Sequence, residues 1–395
     1  MFGRKAEISP RIFMLLQQFY PIVGGAEIQA QRLATKLVEW GNVVSVITNR
    51  QKAEWPAREV LDGVEIRRMG FPLPYRFMEN SLPLFGYLLR HRREFDILHC
   101  HQAFHHAVVS ILAAKLLRKR CIVKIACAGR FGDLYVGSTF AHFRKALSIL
   151  YLADRVIAIS SQVKEELLEF GFPPERILFI PNGVDVEYFS RTVSFPSVGK
   201  WVFLHAGRRH PQKGIDVLLK AVRILQRRFM ANCFEVRCFG HHYPEYDYPR
   251  LARRLGVEFN VRFFPPSSDM RARYQEAHCL VLPSRGEGLS NTLLEAMSLE
   301  MPVITTEVSG NLDVVVSGQN GLLVPVGDPV ALAEAMGFVM SCFSEAKCLG
   351  RQARETVERR FSLRSVAERY QSLYSELLGL RRGEGVRRKG GEGSL

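Results

Sequence analysis

The chain has 395 residues, 47% of them apolar and 24% charged, including 26 Phe, 12 Tyr and 3 Trp. That composition excludes disorder as the main character, and the length suits two domains that bury their cores without a disulfide or metal staple. The 54 basic and 39 acidic residues give +15, an attraction for polyanions: phosphorylated ligands, nucleic acid or an anionic membrane face.

Eight cysteines without a CxxC read as reduced thiols in a cytoplasmic protein. The opening MFGRKAEISP is charged and has no signal-peptide pattern. The longest apolar stretch, 107–117, is interrupted by Ser110 and Lys115 and falls short of the roughly 20 residues of a membrane span.

In chain order, β-rich apolar runs predict strands at 12–16, 43–48, 97–100, 121–126, 156–160 and 177–180. Between them, Ala30, Leu33, Leu37 and Trp40 recur at helical spacing, and Gly41 stops the helix. Residues 181–200, PNGVDVEYFSRTVSFPSVGK, are turn-rich and break the alternation. Strands resume at 201–206, 234–239, 261–264, 279–283 and 303–306, with Ile215, Leu218, Val222 and Leu225 marking a helix. A last helical stripe holds Val366, Tyr370, Leu373 and Leu377, widened by Tyr374 and Leu378, and is a candidate to return to the first domain.

Strand–helix alternation means parallel sheets covered on both faces. The expected fold is α/β, with two Rossmann-like domains facing across a cleft. Their expected extents are 1–185 and 201–361, joined by a linker at 186–200 and followed by a helix at 362–380. The Gly-rich basic tail, 381–395, is expected to be disordered. Open parallel sheets bind ligands beyond the carboxyl ends of their strands.

Two loops at such ends carry chemistry. GRRHPQKG, beginning at Gly207, follows the strand at 201–206 and presents Arg208 and Lys213, a planar fork and a point charge for phosphate oxygens. SRGEGLSNTLLEAM runs from a strand end through Gly286 and Gly288 into a helix that begins near 290–292. Free N–H groups and the positive dipole end make that helix start an anion site. Glu287 and Glu295, eight positions apart, suit paired sugar hydroxyls. The structural alternative is a capping box between Thr292 and Glu295.

These segments, with MPVITTEVSGNLDVVVSGQNGLLVPVGDPVALAEAM, resemble the family 4 retaining glycosyltransferases of the GT-B fold. GGAEIQAQRLATKLVEWGNVVSVIT, DILHCH, DRVIAIS and PNGVD match family-type segments of the first half, and the resemblance covers about residues 11–378. It implies a hexosyl- or N-acetylhexosaminyltransferase that takes a nucleotide-diphosphate sugar as substrate, with no cofactor and no metal. Arg208 and Lys213 would grip the diphosphate, Glu295 the ribose and Glu287 the donor sugar. Backbone at Gly207, Gly288, Leu289, Ser290 and Asn291 would meet phosphate or sugar oxygens, and Gly24 and Gly25 would let the first helix approach the donor or acceptor. The base would sit near 261–265. The implied acceptor is an envelope or exopolysaccharide glycan or a lipid-linked intermediate.

The sequence departs from the family twice. KIACAGRFGD puts Cys127 where a histidine is usual, leaving Arg130 or Asp133 to serve the acceptor. Glu300 stands where a glycine is usual. Asp185-Val186-Glu187 resembles the acidic metal motif of another glycosyltransferase fold but falls in the linker.

Other signals have plainer readings. His99, Cys100, His101, His105 and His106 lack zinc-ligand spacing, and His105 and His106 are expected on the acceptor side of the cleft. Arg90–Arg93 and KLLRKR at 115–120, with Phe85, Tyr87, Leu88 and Leu89, suit either peripheral docking on the inner membrane face or a solvated helix face. The competing functions are a nucleotide-sugar epimerase or phosphorylase on the same fold and a nucleic-acid binder. No nucleic-acid motif supports the binder, and no GxGxxG supports an oxidoreductase.

Overall fold

The computed structural model describes residues 9–22, 24–70, 77–138, 143–197 and 199–380, so the tail expectation lies outside it. Two sheets organise the described residues. The first contains β1 (Arg11–Leu15), β2 (Val43–Asn49), β3 (Arg58–Leu61), β4 (Val64–Met69), β5 (Ile97–His101), β6 (Arg120–Ile125), β7 (Arg155–Ala158) and β8 (Ile177–Phe179), in the order β3-β4-β2-β1-β5-β6-β7-β8. The second contains β9 (Trp201–Ala206), β10 (Phe234–Phe239), β11 (Val261–Phe264), β12 (Cys279–Leu282), β13 (Val303–Thr306) and β14 (Leu322–Val324), in the order β11-β10-β9-β12-β13-β14. Every pairing is parallel except β3 with β4.

This is the expected pair of Rossmann-like domains. Each sheet changes direction at its first strand: β1 lies between β2 and β5, and β9 between β10 and β12. Crevices open at such switch points. The β3–β4 hairpin was not among the predicted strands. Its turn, Asp62-Gly63, has φ of 49° and 78°, a hairpin signal masked by the charges along β4.

The first helix, Gly25–Glu39, buries Ala30, Leu33, Ala34 and Leu37. Trp40, expected on that stripe, is its C-cap and is 39% exposed. The C-terminal helix, Leu363–Leu377, returns to the first sheet. Its Val366, Tyr370, Leu373, Tyr374 and Leu377 share a core with Ile12, Met14, Ile97 and Ile122. Burying each such side chain contributes about 1.5–3 kcal/mol, more than helix propensity supplies. Polar bonds fix the docking: Asn42 Nδ2 donates to Gln371 Oε1 at 2.8 Å, and Arg120 Nε to the Leu377 carbonyl at 2.9 Å.

Two expectations about the surface change, the apolar company of the basic run and the place of His106. Phe85 and Tyr87 pack on the core and Leu88 is buried, so they do not accompany the basic run outward. Lys119 pairs with Asp96, and Lys115 and Arg120 pair with Asp154. His106 is buried inside the first domain, its Nε2 2.9 Å from the His101 carbonyl, instead of lining the cleft. No helix among the described residues is long and apolar enough to cross a membrane.

Glu300 has φ of 57°, so a left-handed residue is needed there and glycine would suit it. All eight cysteines are unpaired.

Candidate functional site

Two loops of the second domain are sewn together at the carboxyl ends of β9 and β12. Gly214 permits this. Its φ is 65°, and a Cβ there would lie 1.9 Å from the Pro283 carbonyl oxygen. Gln212 then donates Nε2 to the Gly286 carbonyl at 2.9 Å, and the Arg285 amide donates to the Gln212 carbonyl at 2.7 Å. This stitching brings Lys213 over Gly207 and sets its Nζ 2.6 Å from Glu287 Oε1. Ser284 Oγ donates to the same oxygen at 2.7 Å.

Lys213 and Glu287, 74 positions apart in sequence, are therefore a single ion pair in the ligand-free chain. Glu287 is only 7% exposed. Arg208 stays exposed at the mouth, where its guanidinium donates to Gln212 Oε1 at 3.3 Å. Its neighbour Arg209 is the buried one, donating to the Phe264 carbonyl at 2.8 Å and stacking 5.2 Å from the Phe263 ring.

The helix Asn291–Ser298 starts at this loop. Ser290 is its N-cap, accepting the Leu293 amide at 3.4 Å. The capping box between Thr292 and Glu295 does not form. Glu295 instead accepts Tyr274 OH on Oε2 at 2.8 Å and Arg32 Nη2 on Oε1 at 2.6 Å, so both carboxylate oxygens are engaged. Arg32 belongs to the first helix, which makes this an ion pair between domains.

More polar contacts join the same two helices. Asn291 Nδ2 donates to the Gly25 carbonyl at 2.9 Å, and Asn291 Oδ1 accepts from Gln29 at 3.0 Å and from Asn182 at 3.2 Å. Asn182 Nδ2 also reaches the Leu289 carbonyl at 3.0 Å. Gly24 caps the first helix, its amide donating to Glu27 Oε2 at 2.8 Å. Burial holds Glu27 above the ordinary carboxylate range, opposed by that amide and by Arg208 across the gap. Gly288 abuts the end of β6: a Cβ there would lie 1.9 Å from the Ala126 carbonyl oxygen.

Cys127 is beside the Lys213–Glu287 pair. Burial, then the charges of Glu287 and Asp133, push its thiol up to about 12, so it is neutral at ordinary pH. Asp133 is not available to an acceptor. It is buried, and its Oδ2 accepts the amides of Ala126 at 3.0 Å and Ala103 at 3.3 Å, stitching the ends of β5 and β6. Burial raises it to about 7. Arg130 lies over Phe131, 5.7 Å from the ring centroid. Asp185 serves as a turn cap, accepting the amides of Glu187 and Tyr188. No group of three or more His, Cys, Asp or Glu among the described residues is arranged to hold a metal ion.

The structure thus brings together Lys213, Glu287, Ser290, Asn291 and Glu295 with Gly24 and Gly25, and leaves Arg208 at the rim. Sequence reasoning missed Gln29, Arg32, Asn182 and Tyr274. The turn PNG marked Asn182; nothing local marked the others. A helix start, two cations and two carboxylates in a crevice can bind a phosphorylated, hydroxyl-rich molecule.

Solved structures share this architecture. HepE of Anabaena, in complex with UDP and glucose, superposes with a TM-score of 0.76 at 20% identity, over 93% of this chain and 99% of its own. The fold is GT-B, the two-domain glycosyltransferase fold.

Family models agree along the chain. Residues 23–188 match Glycosyltransferase Family 4, and residues 200–341 match Glycosyl transferases group 1. An uncharacterized glycosyltransferase of Methanocaldococcus jannaschii is 28% identical over 92% of this chain and 97% of its own length. The capsular polysaccharide biosynthesis glycosyltransferase CapM of Staphylococcus aureus is 27% identical over 58% of this chain and 63% of its own. The chain belongs to the family 4, group 1 glycosyltransferases, and is a transferase enzyme.

Proposed function

We propose that the enzyme moves a sugar from a UDP- or GDP-sugar to a glycan or lipid-linked acceptor, with retention and without a metal. The observation that carries this reading is the Lys213–Glu287 pair beside the head of the Asn291–Ser298 helix, with Arg208 open at the rim. An entering diphosphate takes Lys213 from Glu287 and frees that carboxylate for sugar hydroxyls. A ribose at Glu295 exchanges with the Arg32 bond. As the bond from the anomeric carbon to the diphosphate breaks, negative charge grows on the leaving oxygen. Arg208, Lys213 and the helix-end N–H groups stabilise it without reorganising. The acceptor oxygen bonds to the anomeric carbon, and its proton passes to the departing phosphate oxygen on the same face. Cys127, a neutral thiol, does not serve as the base.

Screening thermal stability against UDP- and GDP-sugars, with and without EDTA, tests the reading. A ligand at 100 times its Kd stabilises the folded chain by about 2.7 kcal/mol. The expected result is a raised Tm with one nucleotide series, unchanged by EDTA. No shift with any of them refutes nucleotide-sugar use, and loss of the shift with EDTA refutes metal independence. NMR of the product reads the anomeric configuration.

The enzyme works in the cytoplasm, and its first domain touches the inner membrane face. Leu82, 77% exposed, and Leu116, 64% exposed, lie on the adjacent helices Phe77–Arg90 and His105–Leu117, and Arg90, Arg92 and Arg118, at or just past the ends of these helices, are exposed as well. Apolar groups among cations suit an anionic bilayer. In co-sedimentation with vesicles containing anionic lipid, Leu82→Ser with Leu116→Ser is expected to lower the bound fraction several-fold. Equal binding by the variant would remove this surface from the proposal.

A further inference from the structure

Lys124 lies on β6, opposite His101 of β5 and Ile157 of β7, and only 5% of it is exposed. Its Nζ donates to Asn182 Oδ1 at 2.9 Å. Asn182 in turn holds the Leu289 carbonyl and Asn291 Oδ1, the backbone and side chain at the head of the Asn291–Ser298 helix. Two hydrogen bonds across one amide put the ammonium within about 8 Å of that carbonyl.

Among the described residues, the titratable groups packed around it carry no negative charge at neutral pH. His99 and His101 of β5 stack 4.3 Å apart, and His99 bonds to Tyr374 OH of the C-terminal helix at 2.8 Å, with Tyr370 beside it. Burial lowers the pKa of both histidines and of His106 behind them, and raises those of both tyrosines. The opposing β7 position, Ile157, is apolar. Asn182 is neutral, and so is Gln29, which bonds to the next residue, Gly183.

We propose that Lys124 is a positioning residue for the donor site: a buried ammonium, with no carboxylate beside it among the described residues, that fixes the helix head through Asn182 and receives its counter-charge from the donor's diphosphate. The inference rests on the nucleotide-sugar reading above. It reaches beyond the cations of the two loops to one buried in the other domain.

Burying an ammonium without an anion disfavours its charged form. Burial, acting alone, lowers the pKa of Lys124 from its ordinary value to about 7. A bound diphosphate restores the charged form and raises that pKa. Between about 7 and the raised value, the complex holds more protons than its separated parts, so binding takes up protons and affinity falls as pH rises. The diphosphate's last ionisation, near pH 6, lies below this window, as does His210, whose pKa is lowered. Cys127 lies above it. Among the described residues, Asp133 is also raised to about 7, and its contribution survives replacement of Lys124.

The experiment is calorimetric titration of the full chain with UDP and GDP at pH 7, 8 and 9, in two buffers of different ionisation enthalpy. Wild type is expected to take up a fraction of a proton at pH 8 and to weaken by up to about tenfold per pH unit, the limit for one linked proton. Lys124→Met is expected to lose most of that uptake and bind at least tenfold more weakly at pH 7, yet melt at or above the wild-type temperature. A residue that only supported the fold would lower the melting point.

Asn182→Asp gives the ammonium a permanent counter-ion and is expected to abolish the uptake too, so the test survives a Met variant that fails to fold. Nucleotide binding without proton uptake, or uptake undiminished in the variants, overturns this inference alone. Failure of wild type to bind UDP or GDP at any pH overturns it together with the nucleotide-sugar reading.

Discussion

Replacing Lys213 with alanine is expected to cut sugar transfer roughly 10²–10³-fold, the effect of removing one preorganised donor to a developing anion. The reason is geometric. Lys213 is held against Gly207 by the turn at Gly214, and its ammonium already stands at the head of the Asn291–Ser298 helix, paired with Glu287. No reorganisation is required when charge develops on the leaving group. The substitution also strips a buried carboxylate of its cation, leaving Ser284 Oγ as its remaining bonded donor among the described residues. Stability should fall by about 1–3 kcal/mol, the cost of a polar group left short of partners. Lys213→Ala combined with Glu287→Gln should recover that stability but not the turnover. Turnover within threefold of wild type in the single variant would take Lys213 out of the chemistry.

The second large effect is expected from Gly288→Val. The backbone of Gly288 lies against the first domain so closely that a Cβ would stand 1.9 Å from the Ala126 carbonyl oxygen and 2.9 Å from Ile159 Cδ1. Both obstacles belong to the first domain, one of them the buried core residue Ile159, so the new side chain wedges the two domains apart. Each domain keeps its secondary structure, while the Asn182–Leu289 and Arg32–Glu295 contacts are pulled open. A misplacement of about 1 Å can cost 10²-fold in rate, and this one exceeds that. Turnover should fall by at least about 10²-fold, with unchanged far-ultraviolet dichroism and a larger radius of gyration in X-ray scattering. Wild-type scattering and turnover together would mean that the contact at Gly288 is not needed for catalysis.

Much of the architecture is legible in the sequence because its cause is local. Parallel strands buried on both faces need unbroken apolar runs, as in VVSVIT and WVFLHA, and the covering helices need an apolar stripe. The hairpin of β3 and β4 escaped because an edge strand and its half-exposed partner carry charges that break the apolar run. The two charged loops were legible for a related reason. Glycines, cations and carboxylates sit at strand ends, where neither sheet nor core requires them, so their residue types report binding. The alignment of Arg208 was legible only in kind. Of the two adjacent arginines, packing on Phe263 buries Arg209 and leaves Arg208 at the rim.

Two parallel-sheet domains, and a polyanion-seeking pair of loops in the second, follow from local residue patterns. Tertiary structure alone decided what those loops touch. It gave Glu295 to Arg32 across 263 positions, Asn291 to Gln29 and Gly25, and Leu289 to Asn182, and it set Lys124 beneath them among neutral histidines. It also turned Asp133 and His106 inward. The physical reason is that a polar side chain inside a strand or helix gives no local sign of its partner. Its partner is fixed only when separate strands and helices close on one another, because a buried polar group must then find a bond or pay for its lost water.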